Sequence, residues 1–408
     1  MGSKVVITKV SALTPLGNNI QTIANHLKNG YSGIKYITRF DTGSFGVRHA
    51  GEVDLSELAN FSYPEEANLQ FKMFYYSLTQ LYQELKHSYA SERIGCFIGT
   101  DPNIATTANL GSMFERYLTK EQGRSLITDR VKVINPSLLL YYASKDFHIH
   151  GPAYCNLGTC SASTQAIGAA YKLIKHGELD MAIVGGVSSK IDPVSMSRLS
   201  RLDALEETKE DIRDNCRPFD KERRGFTMSE GCVLFVIESE EAAKKRNATI
   251  LCEISGYGAA LDGYSITDPH EEATGMMLSM KRAIQDAGLH MNDIDYINAH
   301  GTGTIKNDKY ETMAIKQLFG EQAYKLDISS TKSMHGHLMT TAGAMEVLVC
   351  MLAIQHEFVP PTIHYANPDE HCDLNYTPRE HKNKRINHAL TNSFGLGGQN
   401  ASLIVSKY

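Results

Sequence analysis

The stretch that decides the fold reads AYCNLGTCSASTQAIGAAYKLIK and spans residues 153–175. It begins with a short strand-like run, Ala153–Leu157, passes through a glycine turn, and continues as small and apolar residues at helical spacing over Ala162–Lys175. This order predicts that Cys160 lies in a sharp turn at the N-terminus of a helix. Free backbone N–H groups and the helix dipole favour a thiolate there, so the sequence predicts an ionised, nucleophilic sulfur. The alternative is a buried cysteine with a purely structural role.

Strand-like apolar runs alternate with amphipathic segments on both sides of this stretch, a pattern typical of an α/β fold. The predicted strands are Lys4–Val10, Ile94–Gly99, Met181–Val184, Ile250–Gly258, Asp295–Ala299 and Ala401–Val405. The predicted helices are Leu69–Leu85, Ala162–Lys175, Met276–Ala287 and Leu338–Leu352. The charged run Glu238–Arg246 predicts a surface helix, and after it the order of strand, helix and buried strand begins again. We therefore predict two related halves, residues 1–248 and 249–408, with the active site between them.

Composition excludes several classes of protein. A chain of 408 residues that is 42% hydrophobic can bury a large core without disulfides or metal. Its net charge of −5 argues against a nucleic-acid-binding protein, which usually carries a basic excess. No apolar run approaches the ~20 residues of a membrane span, and the opening MGSKVVITKV lacks a secretion signal, so we expect a cytoplasmic protein. The eight cysteines show no zinc-site spacing, and we expect most to be buried free thiols.

A second candidate for chemistry is the stretch NAHGTGT at residues 298–304. A hydrophobic strand delivers His300 into a loop of glycine and threonine. Glycines there permit close approach of a ligand, and the hydroxyls of Thr302 and Thr304 can bind a polar chain. A lone histidine is more often structural, and a loop of this composition makes a functional role about as good an interpretation as a structural one.

The third and fourth candidates lie in the last quarter of the chain. SSTKSMHGH, residues 329–337, places Lys332, His335 and His337 before a helix rich in alanine and glycine. A metal pair of the two histidines is the alternative, but no carboxylate or thiol at suitable spacing completes it. NSFGLGGQN, residues 392–400, suits a mobile gate or a backbone oxyanion donor, but taken alone it is more typical of a plain turn between strands. A cysteine, separate histidines and a lysine indicate acyl transfer through a thioester, with imidazoles donating hydrogen bonds to developing negative charge.

Together and in this order, the four motifs resemble those of the β-ketoacyl-acyl-carrier-protein synthases, in particular the KAS II type and its polyketide ketosynthase relatives. The resemblance covers nearly the whole chain, including ALTPLG at 12–17, RPFDKERRGF at 217–226 and VPPTIHYANPD at 359–369. It implies a thiolase-like fold, which is a duplicated α/β structure with α/β/α/β/α layers. It also implies decarboxylative Claisen condensation of malonyl-carrier protein with an acyl chain, which lengthens that chain by two carbons without ATP, metal or redox cofactor.

The resemblance assigns roles to residues at matching positions. Cys160 would carry the acyl chain as a thioester, and His300 and His337 would donate hydrogen bonds to the malonyl thioester oxygen during decarboxylation. The choice of His337 over His335 comes from the resemblance alone. The remaining roles are a positioning lysine, Lys332, with its partner Glu346; oxyanion N–H groups of Cys160 and Leu396; substrate or pantetheine contacts from Thr302, Thr304, Phe394 and Leu396; and the supporting carboxylates Asp308 and Glu311.

The resemblance also implies partners, and the chain departs from the family pattern where they would bind. The expected partners are an acyl carrier protein and a second subunit, either an identical chain or a chain-length-factor homologue. Leu396 replaces the bulky phenylalanine usual at the gate, Gln399 stands where threonine is usual, and Ile305 where proline is common. Residues 64–68 are acidic where housekeeping enzymes carry basic residues. The basic residues that remain for carrier docking are Lys72, Arg124, Arg130, Lys132, Arg198 and Arg201.

These departures make a ketosynthase of a type II polyketide or polyene pathway a rival to an enzyme of primary fatty-acid synthesis. A chain-length-factor-like subunit is another alternative, but such subunits typically lack the nucleophile that Cys160 supplies. A degradative thiolase would need a second active-site cysteine in the C-terminal half, and Cys252, Cys350 and Cys372 all lie outside glycine-rich loops.

Overall fold

The computed structural model describes residues 2–43, 45–64, 68–83, 85, 89–101, 135–208, 211–212 and 215–408. Its strands are β1 (Val5–Leu13), β2 (Lys35–Tyr36), β3 (His49–Ala50), β4 (Ile94–Thr100), β5 (Ala153–Asn156), β6 (Met181–Ser188), β7 (Gly231–Ser239), β8 (Cys252–Leu261), β9 (Tyr296–Asn298), β10 (Asp327–Ser329), β11 (Phe358–Val359), β12 (Lys382–Asn383), β13 (His388–Gly395) and β14 (Gln399–Ser406). Its α-helices are α1 (Ile20–Lys28), α2 (Ser56–Ala59), α3 (Leu69–Tyr82), α4 (Ser137–Phe147), α5 (Ala162–Lys175), α6 (Pro193–Ser200), α7 (Glu240–Lys245), α8 (Thr274–Asp286), α9 (Ile305–Phe319), α10 (Lys332–His335) and α11 (Ala342–Gln355). Short 3₁₀ turns cover Ser91–Arg93, Thr159–Ser161, Met291–Asp293, Gly320–Lys325 and Met339–Thr341.

The large sheet is built from two equivalent halves. Its strand order is β10-β9-β13-β14-β8-β1-β7-β6-β4-β5. Counted outward from the centre, the half formed by β1, β7, β6, β4 and β5 has two antiparallel pairs followed by two parallel pairs. The half formed by β8, β14, β13, β9 and β10 repeats the same order and the same directions. The predicted duplication is therefore confirmed, and β1 joins the halves by pairing with β8 in antiparallel.

Helices form three layers around the two half-sheets. α5 and α11 lie between the halves, where the backbone N–H of Ala344 donates to Ser163 Oγ at 3.0 Å. Apart from Glu346, α11 is apolar on all sides, and every residue from Ala342 to Ile354 is buried, as expected for a helix enclosed by two sheets. α3 and α4 cover the outer face of the first half, and α8 and α9 cover that of the second. The result is the five-layered α/β/α/β/α arrangement.

The parallel strands of each half end at one edge, and this places the loops that follow them side by side. In the first half, Gly99 of β4 pairs with Asn156 of β5, and the loop after β5 carries Cys160. In the second half, Asn298 of β9 pairs with Ser329 of β10, and the loops after these strands carry His300 and Lys332. Carboxyl ends of parallel strands are the usual place for a site in an α/β fold.

The charged segment between the halves forms a helix as the sequence indicates. The side chain of Ser239 accepts a hydrogen bond from the backbone N–H of Ala242 and so caps α7. Glutamates in its first turn and lysines in its last turn suit the helix dipole. The predicted domain boundary at 248/249 falls between α7 and β8 and stays a prediction. Within the described part of the chain, no helix has the length and apolar character needed to cross a bilayer.

Candidate active site

Cys160 lies in a tight turn between β5 and α5. Thr159, which begins the 3₁₀ turn, has a left-handed φ of 50°, so the chain reverses sharply just before the sulfur. Ser161 Oγ donates to the carbonyl of Gly158 at 2.9 Å and closes the turn. β4 packs closely against the residues that follow this turn, since a Cβ on Gly99 would lie 2.4 Å from the backbone nitrogen of Ser163. The turn is thus fixed from both sides, and Cys160 is only 5% exposed.

His337 faces the sulfur of Cys160. Gly336, with φ at 71°, ends α10 and turns the chain so that His337 Nε2 lies 3.0 Å from Cys160 Sγ. The backbone N–H of His337 donates to the carbonyl of Thr227 at 2.7 Å, and the ring of Phe226 meets the imidazole edge-on at 5.0 Å between centroids. Phe226 closes the RPFDKERRGF motif, so one function of that motif is to hold this histidine.

His335 points away from the sulfur, although it lies only two residues from His337. Its Nδ1 lies 2.7 Å from the carbonyl oxygen of Gly336, and its Nε2 lies 3.0 Å from Thr331 Oγ1. Burial lowers the pKa of His335 to about 3, so the ring is neutral. The structure therefore gives His335 a packing role. It distinguishes His335 from His337, which their spacing in the sequence does not.

His300 enters the site from the loop after β9. Lys332 Nζ donates to the carbonyl of His300 at 2.6 Å and lies 3.3 Å from its Nδ1. Because the lysine is a donor, Nδ1 acts as the acceptor and the ring proton sits on Nε2. The ring stands at 85° to that of His337, with 5.4 Å between centroids. Glu311 anchors the loop by accepting the backbone N–H groups of His300 and Gly301, each at 2.8 Å.

Lys332 and Glu346 form a buried ion pair behind the two histidines. Each side chain is 1% exposed, and Lys332 Nζ donates to Glu346 Oε1. The other carboxylate oxygen accepts from Ser393 Oγ at 3.2 Å, and that hydroxyl accepts from Thr164 Oγ1 at 2.7 Å. With Glu346, the carbonyl of His300 and its Nδ1, Lys332 has partners for all three of its donors. The lysine is thus held rigidly and fixes His300 in turn.

Burial dominates the electrostatics of the nucleophile. It raises the pKa of the Cys160 thiol to about 11, against the opposing effects of Lys332 and of the backbone N–H groups of Leu396 and Cys160. The sequence-based prediction of an ionised sulfur is therefore wrong for the resting protein, because the desolvation of a buried thiolate outweighs the helix N-terminus. The cysteine is a thiol at neutral pH and needs a proton acceptor when it attacks.

Burial also keeps both facing imidazoles uncharged. It lowers the pKa values of His300 and His337 well below the ordinary value, and the positive charge of Lys332 adds to the effect. Burial raises the pKa values of Glu311 and Glu346 to about 7 in spite of their hydrogen-bond donors. The site thus presents neutral rings that can accept or donate a proton.

Backbone N–H groups complete the site. Those of Cys160 and Leu396 both lie within hydrogen-bonding reach of the sulfur, where an oxyanion on an acylated sulfur would form. Leu396 begins the three-residue turn that joins β13 to β14, and Thr159 Oγ1 donates to its carbonyl at 3.1 Å. Its side chain is 38% exposed. The glycine-rich segment is both a turn between strands and a neighbour of the nucleophile.

The other predicted site residues lie around the His300 loop. Phe394 is buried, and the centre of its ring lies 5.8 Å from that of His300, so it packs against the histidine. Thr302 is buried and Thr304 half-buried, with their hydroxyl oxygens 2.9 Å apart. Asp308 is buried and accepts the backbone N–H groups of Phe219 and Gly303 at 2.7 and 3.2 Å, so it supports the loop and does not face the sulfur.

Sequence reasoning missed several residues that hold these loops. Asn392 Nδ2 donates to Glu311 at 3.1 Å. Asp220 accepts two backbone N–H groups of the 359–369 segment, each at 2.7 Å, and Arg223 donates to Asp369 at 2.5 Å. These side chains explain why the motifs at 217–226 and 359–369 occur together, since each motif binds the other. These residues belong to the sequence motifs quoted above, but the motifs alone did not indicate which residues contact each other.

Part of the predicted carrier-docking set can be placed. Arg198 on α6 and Arg201 just after it are exposed, and Lys72 Nζ lies 5.6 Å from the centre of the Tyr63 ring. Arg124, Arg130 and Lys132, and residues 65–67 of the acidic segment, lie outside the described residues.

Two family models cover most of the chain. The model of the beta-ketoacyl synthase N-terminal domain matches residues 2–243, and that of the C-terminal domain matches residues 251–366. The chain belongs to the β-ketoacyl synthase family. The predicted enzyme class, a condensing acyltransferase, is confirmed by this membership and by the relatives of this synthase.

Curated relatives span the whole length. Proteins named 3-oxoacyl-[acyl-carrier-protein] synthase 2 from Staphylococcus aureus (strain COL) and Coxiella burnetii (strain RSA 493 / Nine Mile phase I) are each 36% identical to this synthase, covering 99% of it and 98% of their own chains.

Solved structures confirm the thiolase-like fold. A ketosynthase bound to a hexaketide, in complex with its type II polyketide acyl-carrier protein, has a TM-score of 0.89 at 27% identity. The ishigamide ketosynthase/chain length factor has a TM-score of 0.88 at 28% identity. A beta-ketoacyl synthase from Burkholderia phymatum STM815 has a TM-score of 0.87 at 26% identity. Each covers 100% of both chains.

Proposed function

We propose that this synthase condenses an acyl chain held on Cys160 with malonyl-acyl-carrier protein, releasing carbon dioxide and lengthening the chain by two carbons. The observation that carries the proposal is the buried junction of the two halves. There, His337 Nε2 lies 3.0 Å from Cys160 Sγ, with His300 perpendicular to it and two backbone N–H groups beside the sulfur.

The first step is loading of the cysteine. Cys160 Sγ attacks the carbonyl carbon of the acyl thioester while its proton passes to His337 Nε2, the acceptor at 3.0 Å. The backbone N–H groups of Cys160 and Leu396 donate to the oxyanion of the tetrahedral intermediate. The bond to the carrier's sulfur then breaks, and that sulfur leaves as a thiol with the proton from His337. A neutral imidazole is the form this step requires.

The second step is loss of carbon dioxide from the malonyl group. The electron pair of the breaking carbon–carbon bond moves into an enolate, whose oxygen accepts hydrogen bonds from His300 and His337. His300 is fixed with its proton on Nε2 by Lys332. Nδ1 of His337 is buried with no hydrogen-bond partner among the described residues. In the described structure no hydrogen bond at Nδ1 fixes the tautomer of His337. Its Nε2 can therefore accept a proton in loading and donate a hydrogen bond in decarboxylation.

The third step forms the new carbon–carbon bond. The enolate carbon attacks the acyl carbonyl on Cys160, and the oxyanion again lies by the N–H groups of Cys160 and Leu396. The carbon–sulfur bond breaks, and the sulfur leaves as a thiolate, which takes up one proton from solvent to restore the resting thiol. Decarboxylation drives the sequence, so we propose that it proceeds without a metal or redox cofactor.

A second subunit is part of the proposal. Among the described strands, β5 lies at one edge of the large sheet, and Ala153 and Tyr154 on it are exposed, whereas the opposite edge strand, β10, is buried. An uncovered edge strand offers unpaired backbone groups to another chain. The exposed apolar side chain of Leu157 extends this surface. We infer that a second subunit adds to β5.

The rival function is the ketosynthase of a type II polyketide synthase, paired there with a chain-length-factor homologue. It is supported by the structural similarity to a polyketide ketosynthase bound to its carrier protein and to a ketosynthase/chain length factor. The side chain of Leu396 is smaller than the phenylalanine usual at this position in the family, which also suits entry of chains other than saturated fatty acyl groups. Curated relatives of the 3-oxoacyl-[acyl-carrier-protein] synthase 2 type support the primary pathway.

Mass spectrometry tests both functions in one experiment. The protein is incubated with acyl chains on a fatty-acid carrier and on a polyketide carrier, the acyl adduct on Cys160 is measured, and malonyl-carrier protein is then added. We expect an adduct on Cys160 followed by a β-ketoacyl product and carbon dioxide. An adduct elsewhere, or no product from any carrier, would overturn the proposal. Productive use of the fatty-acid carrier alone would exclude the polyketide function.

A further inference from the structure

The catalytic trio also has the composition of a metal site. One ligand atom from each of Cys160, His300 and His337 lies within 4.8 Å of the other two, and all three side chains are buried. Thiolate and imidazole are donors that Zn²⁺ and other thiophilic divalent cations prefer. We propose that these three side chains bind a thiophilic divalent cation reversibly, as an inhibitor of the resting synthase, and that Lys332 limits its affinity.

The first ligand pair is Cys160 and His337. Their sulfur and Nε2 lie 3.0 Å apart, and a zinc ion binds sulfur at about 2.3 Å and imidazole nitrogen at about 2.0 Å. An ion placed beside them can therefore contact both atoms. Binding replaces the S–H bond with a sulfur–metal bond, the proton leaves to solvent, and nothing is oxidised. Three protein ligands would leave a fourth position for water.

The surroundings of the trio differ from those of a resident metal centre. A metal-bound histidine normally donates its other ring N–H to an acceptor. Nδ1 of His300 faces Lys332 Nζ, a donor, at 3.3 Å, and Nδ1 of His337 has no partner among the described residues. For His300 to bind metal through Nε2, its proton would have to move to Nδ1 and point at the lysine. The ammonium charge also repels a cation.

Lys332 therefore affects cation binding as well as the orientation of His300. It makes His300 an unfavourable third ligand, which keeps cation binding weak enough to be reversible. A bound cation would occupy the nucleophile and both imidazoles, so it would block acyl loading. Conversely, an acyl thioester on Cys160 removes the thiolate ligand. The cation and the acyl chain thus exclude each other.

Direct binding measurements test the proposal without turnover. Zn²⁺ is measured by equilibrium dialysis, and Co²⁺ by its thiolate-to-cobalt absorption band, on the full chain. We expect one Zn²⁺ per wild-type chain above the level bound by Cys160→Ser, and a cobalt band that Cys160→Ser lacks. His335→Gln is the matched control, because His335 lies in the same segment but faces away, and it should bind as the wild type does. Lys332→Met should tighten binding by about tenfold or more.

Lys332→Met leaves Glu346 buried without its partner, which can unfold the chain. The double variant Lys332→Met with Glu346→Gln removes that charge and gives a second measurement of the same effect. Equal Zn²⁺ binding by the wild type and Cys160→Ser would overturn the proposal. So would lysine variants, folded by circular dichroism, that bind no more tightly than the wild type. Since no condensation is measured, failure of the proposed function would leave this result unaffected.

Discussion

The two halves of the molecule contain the same sharp turn, and only one of them carries a nucleophile. In the first half the 3₁₀ turn Thr159–Ser161 leads into the 14-residue α5, and in the second half Met339–Thr341 leads into the 14-residue α11. The first residues of the two turns have left-handed φ values of 50° and 51°. Cys160 and Thr340 therefore occupy equivalent positions.

The loops that precede the two turns differ. In the first half only residues 157 and 158 separate β5 from the turn, whereas residues 330–338 separate β10 from its turn in the second. The longer loop contains α10 and delivers Lys332 and His337. Thr340 Oγ1 donates to the carbonyl of Val187 at 3.3 Å. The comparison shows that the turn positions the nucleophile and its own backbone N–H donor. The side chains that accept or donate protons come from the longer loop of the other half.

Replacing the central residue of each turn gives the largest expected effect. Cys160→Ala removes the nucleophile, so we expect no acyl adduct and a fall in condensation of about 10⁴-fold or more. Thr340→Ala removes one hydrogen bond, so we expect unchanged loading and a loss of about 1 kcal/mol in the free energy of unfolding. Adduct mass and urea unfolding provide the measurements. Loss of loading in both variants would show that the two turns are not functionally distinct.

His300→Ala separates the contributions of the two halves. His337, and not His300, makes the hydrogen bond to the sulfur in the resting site, so Cys160 should still be acylated. Condensation should fall by about 10²–10⁴-fold, because the enolate loses one donor. The measurement compares adduct formation with carbon dioxide release. His335→Gln, which leaves both catalytic rings in place, should lower neither rate by more than a small factor. Parallel loss of loading and decarboxylation in His300→Ala would contradict this division.

The pH dependence of alkylation tests what the turn does to the sulfur. With the pKa of Cys160 raised to about 11, the thiolate fraction grows about tenfold per pH unit between about pH 7 and about pH 9. The rate of iodoacetamide alkylation of Cys160, followed by mass spectrometry of its peptide, should rise in the same proportion and reach no plateau in that range. A plateau near neutral pH would show that the sulfur is already ionised there, as its position at the helix N-terminus predicts.

The fold was predictable because its signals are local and repeat. α5 has the predicted bounds, Ala162–Lys175, and β1 and β8 differ from their predicted ranges by a few residues. Small and apolar residues at helical or strand spacing determine such elements with little help from distant contacts. The duplication followed from their order, although the strand pairing that joins β1 to β8 left no mark in the sequence.

The site was less predictable because its electrostatics depend on burial. The helix N-terminus is visible in the sequence, but the desolvation that raises the pKa of Cys160 comes from both halves packing around it. Spacing could not distinguish His335 from His337, since the choice depends on the left-handed φ of Gly336. Asn392 donates to Glu311 on α9, and Asp220 accepts from the backbone of the 359–369 motif. Both contacts join residues more than 80 positions apart, so they have no local signature in the sequence.

The smallest expected effect comes from the loop that follows β13 in the second half. Leu396 offers its backbone N–H to the site while its side chain is partly exposed, so Leu396→Ala keeps the donor. We expect loading of a short acyl chain to change by no more than about 0.5 kcal/mol, which is about twofold. Leu396→Phe keeps the same donor and should alter only which longer chains load, as measured by adduct yields across an acyl series. A large loss with the short chain in Leu396→Ala would mean that the side chain, and not the backbone, serves the nucleophile of the other half.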